Sequence, residues 1–203
     1  MRKSRIGIYG GTFSPPHLGH VRAAEVFLKA VELDKLLIIP DFLPPHKQLD
    51  GNVTAEDRLQ MCKKAFEHIE RAQISDMEIK RGGKSYTALT LQELSSADSE
   101  LYFLCGTDMF LTLDQWYKPE IIFDLANICY VRRENAYENE ELIKIKTEQY
   151  IKKFGARIID IESNVTEISS TELRAALNKK SPAASSFLPE KVYEYILKKG
   201  IYI

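Results

Sequence analysis

Residues Tyr9 to His20 read YGGTFSPPHLGH, and no other stretch limits the fold of this chain as tightly. Before it, RIGI is branched and apolar enough to form a short buried strand. After it, VRAAEVFLKAVEL repeats apolar side chains at helical spacing. The stretch is therefore a strand, a glycine turn and a helix start, a junction at which chains bring backbone N–H groups up to a phosphate. Gly10 and Gly11 suit that task, because glycine permits positive φ and lets backbone approach a ligand where a Cβ would obstruct it. Pro15 and Pro16 stiffen the approach to the helix. His17 and His20, two of only four histidines, stand three residues apart. On a helix that spacing puts both on one face, with Cβ atoms roughly 5–6 Å apart. Two imidazoles at a helix N-terminus form a clamp for phosphate oxygens, and Gly19 keeps the surface between them open.

Other phosphate loops do not fit these residues. The dinucleotide fingerprint needs G-x-G-x-x-G opening the helix, and GGTFSP stands here instead. The G-x-x-x-x-G-K-[ST] loop is excluded because no Lys followed by Ser or Thr comes after the glycines. Imidazoles three apart can share a zinc ion, but the sequence places no third ligand beside them, so no protein metal ligand is assigned.

The remaining chain alternates short apolar runs with helical patterns. RIGIY, KLLIIP, AQISDMEI, ELYFLCG, NICYVRR and ARIIDIE read as strands. VRAAEVFLKAVEL, TAEDRLQMCKKAFEHI, SYTALTLQEL, PEIIFDLA and NEELIKIKTEQYIKKFG read as helices. This alternation predicts a single-domain, Rossmann-like, doubly wound α/β fold over residues 1–203: a mainly parallel sheet with helices on both faces. At 203 residues one well-buried domain is expected, with a C-terminal helical portion carrying ISSTELR. Ligands of such sheets sit beyond the C-terminal strand ends. The charge balance, 28 Lys and Arg against 29 Asp and Glu, speaks against a nucleic-acid-coating protein. Three widely spaced cysteines without a CxxC pair fit buried thiols in a reducing compartment. No apolar run reaches the ~18 residues of a membrane span, so the expectation is a soluble, cytoplasmic protein without membrane partners.

A second cluster lies in EISSTELRAALNKK. Ser169, Ser170 or Thr171 can cap the helix that follows, and Arg174 projects from its first turn. Hydroxyls, helix-terminal N–H groups and a guanidinium together bind anions. Two such helix starts at one sheet edge could grip a polyphosphate between them.

With these motifs in place, the sequence resembles the bacterial nicotinate mononucleotide adenylyltransferases of the HxGH nucleotidyltransferase superfamily. GGTFSPPHLGH resembles the superfamily's T/HxGH signature and ISSTELR its ISSTxxR partner; PPHK, SYT, GTDM and WYK narrow it to the nicotinate branch. Two positions depart from that pattern: Ser14 stands where Asp or Asn is usual, and Leu89 replaces the Asp of SYTxDTL. The resemblance implies adenylyl transfer from ATP to nicotinate mononucleotide, giving nicotinate adenine dinucleotide and pyrophosphate. It implies catalytic roles for His17, His20 and Arg174. Gly10, Gly11, Thr12, Phe13, Gly106, Asp108, Arg132, Ser170 and Thr171 would contact ATP. Lys47, Thr87, Trp116 and Tyr117 would bind the mononucleotide, the tryptophan face suiting a pyridinium ring. Mg²⁺ would ride on the ATP phosphates. Relatives acting on nicotinamide mononucleotide, pantetheine phosphate or glycerol phosphate are the competing readings within the superfamily, and a nucleotide sensor without turnover is the competitor outside it. Monomer and homo-oligomer both stay open.

Overall fold

Strand β2 (Lys35–Pro40) shows why the sheet needs cover on both faces. Leu36 and Ile38 enter one apolar cluster, while Leu37 and Ile39, pointing the other way, enter a second. The computed structural model describes residues 2–45, 52–133, 140–165 and 169–203. With β2 stand β1 (Ser4–Gly11), β3 (Ala72–Ile74), β4 (Ser99–Gly106), β5 (Ala126–Arg133) and β6 (Ile158–Val165). The helices are α1 (Leu18–Ala30), α2 (Ala55–Ala65), α3 (Met77–Arg81), α4 (Thr87–Leu94) and α5 (Thr107–Phe110), then α6 (Pro119–Leu125), α7 (Glu140–Phe154), α8 (Ser170–Asn178) and α9 (Glu190–Lys199).

Among the described residues the six strands form one sheet in the order β3-β2-β1-β4-β5-β6, every neighbouring pair parallel. Phe27 of α1, Met61 of α2, Leu173 of α8 and Val192 of α9 cover one face. Leu91 of α4, Phe123 of α6 and Tyr150 of α7 cover the other. The doubly wound expectation therefore holds, and the sheet is wholly parallel over the described residues. The chain winds outward through β1, β2 and β3, then returns across the sheet to β4 beside β1. That reversal opens a crevice past the C-terminal ends of β1 and β4, the switch point where such sheets bind ligands.

One sequence expectation needs correction. AQISDMEI is not a strand throughout, since only Ala72–Ile74 is extended and Met77–Arg81 forms α3. The edge strand β3 pairs on one side alone, with Leu36–Ile38. Its last link is the Ser75 N–H donating to the Ile38 carbonyl at 2.9 Å. Beyond that point β2 runs into Pro40, which has no N–H to offer, so the chain turns into a helix instead. No helix among the described residues is long and apolar enough to cross a membrane.

Candidate active site

The helix start predicted after the glycine pair is present, but the two histidines divide its work. His17 is the N-cap residue of α1, with extended backbone (φ −134°, ψ 172°), and the helix begins at Leu18. His20 is the third helical residue, and its Nδ1 accepts the His17 backbone N–H at 3.2 Å. A histidine here does what Glu or Gln does in an ordinary capping box. Because Nδ1 is an acceptor, the neutral ring carries its proton on Nε2, as a donor suited to an anion. The two ring centroids lie 3.7 Å apart. The pair is not two residues on one helix face, since His17 reaches in from outside the helix.

The glycine expectation is also corrected. Gly10 and Gly11 belong to β1, and the positive φ of this turn falls on Phe13, at 47°. A Cβ on Gly11 would crowd the Phe13 ring at 3.2 Å. Phe13 is buried as a wedge, its ring 5.3 Å from Tyr9, 5.1 Å from His20 and 5.9 Å from Phe66, centroid to centroid. That packing holds the His20 ring from one side.

The second cluster meets the first. Ser169 caps α8, its Oγ accepting the Glu172 N–H at 3.1 Å, while the Glu172 carboxylate accepts the Ser169 N–H at 3.0 Å. The Ser169 backbone N–H holds the Glu172 carboxyl below its usual range. This cap leaves Ser170 and Thr171 on the first turn. Ser170 Oγ donates to the Pro15 carbonyl at 3.2 Å. Arg174 donates to the Ser14 carbonyl at 2.8 Å and to Thr171 Oγ1 at 3.2 Å. The departure at Ser14 is absorbed locally: its hydroxyl lies 2.8 Å from the Tyr202 hydroxyl, which burial pushes up to about 12. Tyr202 thus ties the chain's end to the turn after β1.

Both clusters line one cleft of about 710 Å³. Of the residues expected at ATP, Gly10, Gly11, Thr12, Phe13, His17 and His20 line it from β1 and α1. Gly106 does so from the end of β4, Asp108 from α5, and Ser170, Thr171 and Arg174 from α8. Arg132 does not: its Nε donates to Asp160 at 2.7 Å, and it also pairs with Glu140. On the far side stand Thr87, Trp116 and Tyr117. Thr87 opens α4, Trp116 is half-buried edge-on to Phe103 at 6.1 Å, and Tyr117 stacks on Tyr86 at 4.4 Å. Lys47 lies outside the described residues.

Asp41, Glu78 and Ser85 also line the cleft; none of them has a site role in the sequence reading, although Ser85 stands in SYT. Asp41 had a signal, being the first polar residue after a buried parallel strand. Glu78 had none, since it fell within the supposed strand AQISDMEI. Burial pushes the Glu78 carboxyl up, against hydrogen bonds from Thr90 and Ser85 and the Arg81 charge, while the Asp41 charge adds to the upward push. Cys105 also lines the cleft, but burial pushes its thiol well above the ordinary value, so it supplies no thiolate near neutral pH.

The chain is similar to known proteins in sequence and in fold. A sequence profile described as Cytidylyltransferase-like matches residues 8–176. A protein of Desulfatibacillum aliphaticivorans named probable nicotinate-nucleotide adenylyltransferase is 37% identical, the match covering 98% of this chain and 100% of that one. A protein of the same name from Listeria monocytogenes serotype 4a is 36% identical, with 98% of each covered. The Plasmodium falciparum nicotinic acid mononucleotide adenylyltransferase solved with NaAD superposes with a TM-score of 0.79 at 19% identity, covering 98% of this chain and 97% of that one. At that identity the likeness speaks for the fold.

Proposed function

The chain belongs to the Cytidylyltransferase-like family and, within it, to the nicotinate-nucleotide adenylyltransferases, and from that premise we propose how its own residues transfer the adenylyl group of ATP to nicotinate mononucleotide. The products are nicotinate adenine dinucleotide and pyrophosphate. The acceptor's phosphate oxygen bonds to the α-phosphorus of ATP while the bond from that phosphorus to the bridging oxygen of pyrophosphate breaks. No protein nucleophile is required, so catalysis rests on alignment and on stabilising charge as it develops on the leaving group.

The observation that carries this reading is the junction of two helix starts across the turn after β1. His17, His20 and the amides opening α1 stand on one side of it, and Ser170, Thr171 and Arg174 on the other. An extended triphosphate fits between them, its α-phosphate against the histidines and its β- and γ-phosphates against α8. His20 Nε2–H donates to the oxygens that gain charge in the transition state. Gly10, Gly11, Thr12 and Phe13 run beside the nucleotide, and Gly106 and Asp108 face its ribose and base.

The mononucleotide lies toward Thr87, Trp116 and Tyr117. The Trp116 face suits the pyridinium ring, and the backbone N–H groups opening α4 beside Thr87 suit the nicotinate carboxylate. Lys47 would meet the mononucleotide phosphate. Arg132 is assigned to the adenosine side from the sequence pattern alone, since its guanidinium is engaged with Asp160. The donors at the two helix starts suit phosphate oxygens rather than a hard cation, so Mg²⁺ would be held by the ATP phosphates themselves. When bound, it neutralises charge on the pyrophosphate. We assign the whole chain, residues 1–203, to one nucleotidyltransferase domain acting in the cytoplasm on small molecules, without nucleic-acid or membrane partners.

The test is pyrophosphate release from ATP and Mg²⁺ with nicotinate mononucleotide or nicotinamide mononucleotide added separately. Faster release with the acid is expected. Faster release with the amide would overturn the carboxylate pocket, and release with neither would overturn the activity.

A further inference from the structure

Arg58 of α2 is wholly buried. Its guanidinium donates to the Thr12 carbonyl at 2.9 Å, to Asp41 Oδ1 at 2.8 Å and to the Phe42 carbonyl at 3.1 Å. Asp41 completes the knot, accepting from Thr12 Oγ1 at 2.8 Å through its other oxygen and donating its own N–H to the Gly11 carbonyl at 3.0 Å. The chain of bonds continues outward from there. The Phe42 N–H donates to Ser85 Oγ at 2.8 Å, and the Ser85 N–H donates to the Leu43 carbonyl at 2.9 Å.

Thr12 belongs to the turn assigned to ATP, and Ser85 precedes Thr87 in the segment assigned to the mononucleotide. One planar fork therefore spans the loops that carry the two substrates. A buried ion pair is a poor way to gain stability, since apolar side chains of similar volume commonly do as well or better. Its advantage lies in geometry: a guanidinium fixes three acceptors in one plane, which neither lysine nor an apolar residue can do.

We infer that Arg58, held by Asp41, is a positioning residue that sets the separation between the ATP turn and the mononucleotide segment, so that acceptor oxygen and α-phosphorus meet in line. The inference rests on the adenylyl-transfer reading above. It places the effect of Arg58 in the joint geometry of two substrates and not in the binding of either alone.

The experiment compares wild type with Arg58→Lys and Asp41→Asn, the second guarding against a fold too damaged to assay in the first. Melting temperature, the affinity for ATP alone, the affinity for nicotinate mononucleotide alone, and kcat are measured for each. The expected result is a kcat lowered about tenfold, with each separate affinity within about twofold of wild type, as for misaligned reactants. A folded variant of either kind with wild-type kcat would overturn the inference and leave the activity standing. So would a loss of kcat matched by an equal loss of affinity for one substrate. An inactive wild type would instead remove the adenylyl-transfer reading, and the positioning role with it.

Discussion

Replacing His20 with alanine lowers kcat by on the order of 10²-fold or more, the loss that follows removal of a preorganised transition-state donor. The fold survives, but the variant has a second defect that must be separated from the first. His20 Nδ1 accepts the His17 N–H, so alanine also leaves that helix-terminal donor without its partner. Losing a cap of this kind costs about 1 kcal/mol of stability. His20→Gln separates the two effects, because glutamine at the third helical position is the usual capping-box residue and can reach back to the same N–H. His20→Gln is expected to keep the wild-type melting temperature and still lose turnover as severely as His20→Ala. Steady-state kinetics and thermal melts on the three proteins check this. Recovery of turnover in the glutamine variant would make His20 a cap and no more.

Arg174→Lys is expected to lower kcat/KM for ATP by roughly 10²-fold, although the charge is kept. The guanidinium already spends one nitrogen on the Ser14 carbonyl and another on Thr171 Oγ1. Its planar fork can hold the turn after β1 and still present N–H groups to phosphate. An ammonium is a single point of charge and has to choose between them. Kinetics with ATP varied at saturating mononucleotide measure the effect. A lysine variant with near-wild-type kcat/KM would reduce Arg174 to a nonspecific positive charge.

The fold was legible because its signals are local. Strands such as β2 are short branched runs buried on both faces, and the crossover helices repeat at 3.6 residues, so a mainly parallel, doubly wound sheet was legible, though not the order of its strands. AQISDMEI failed because its second half carries no periodicity of its own, and its state is decided by where β2 stops donating. The site was legible where one segment holds a whole cluster, as in GGTFSPPHLGH and ISSTELR. It was illegible where function depends on contacts between distant segments. Ser14 looked like a departure from pattern until Tyr202 was found 188 residues away in sequence. Arg58 drew no attention in sequence because helical periodicity places it on a face without saying what lies beneath, and beneath it lie Thr12 and Asp41. Glycine chemistry misled in a smaller way: the turn's positive φ sits on Phe13, whose ring burial compensates for a conformation glycine would adopt freely.

The central claim is direct transfer between two phosphates, with the protein aligning them and contributing no nucleophile. The most direct test uses ATP made chiral at the α-phosphorus by sulfur substitution, with the configuration of the resulting dinucleotide determined after reaction with nicotinate mononucleotide. A single in-line displacement predicts inversion at phosphorus. Retention would require a second displacement through an adenylylated protein, and would contradict the account.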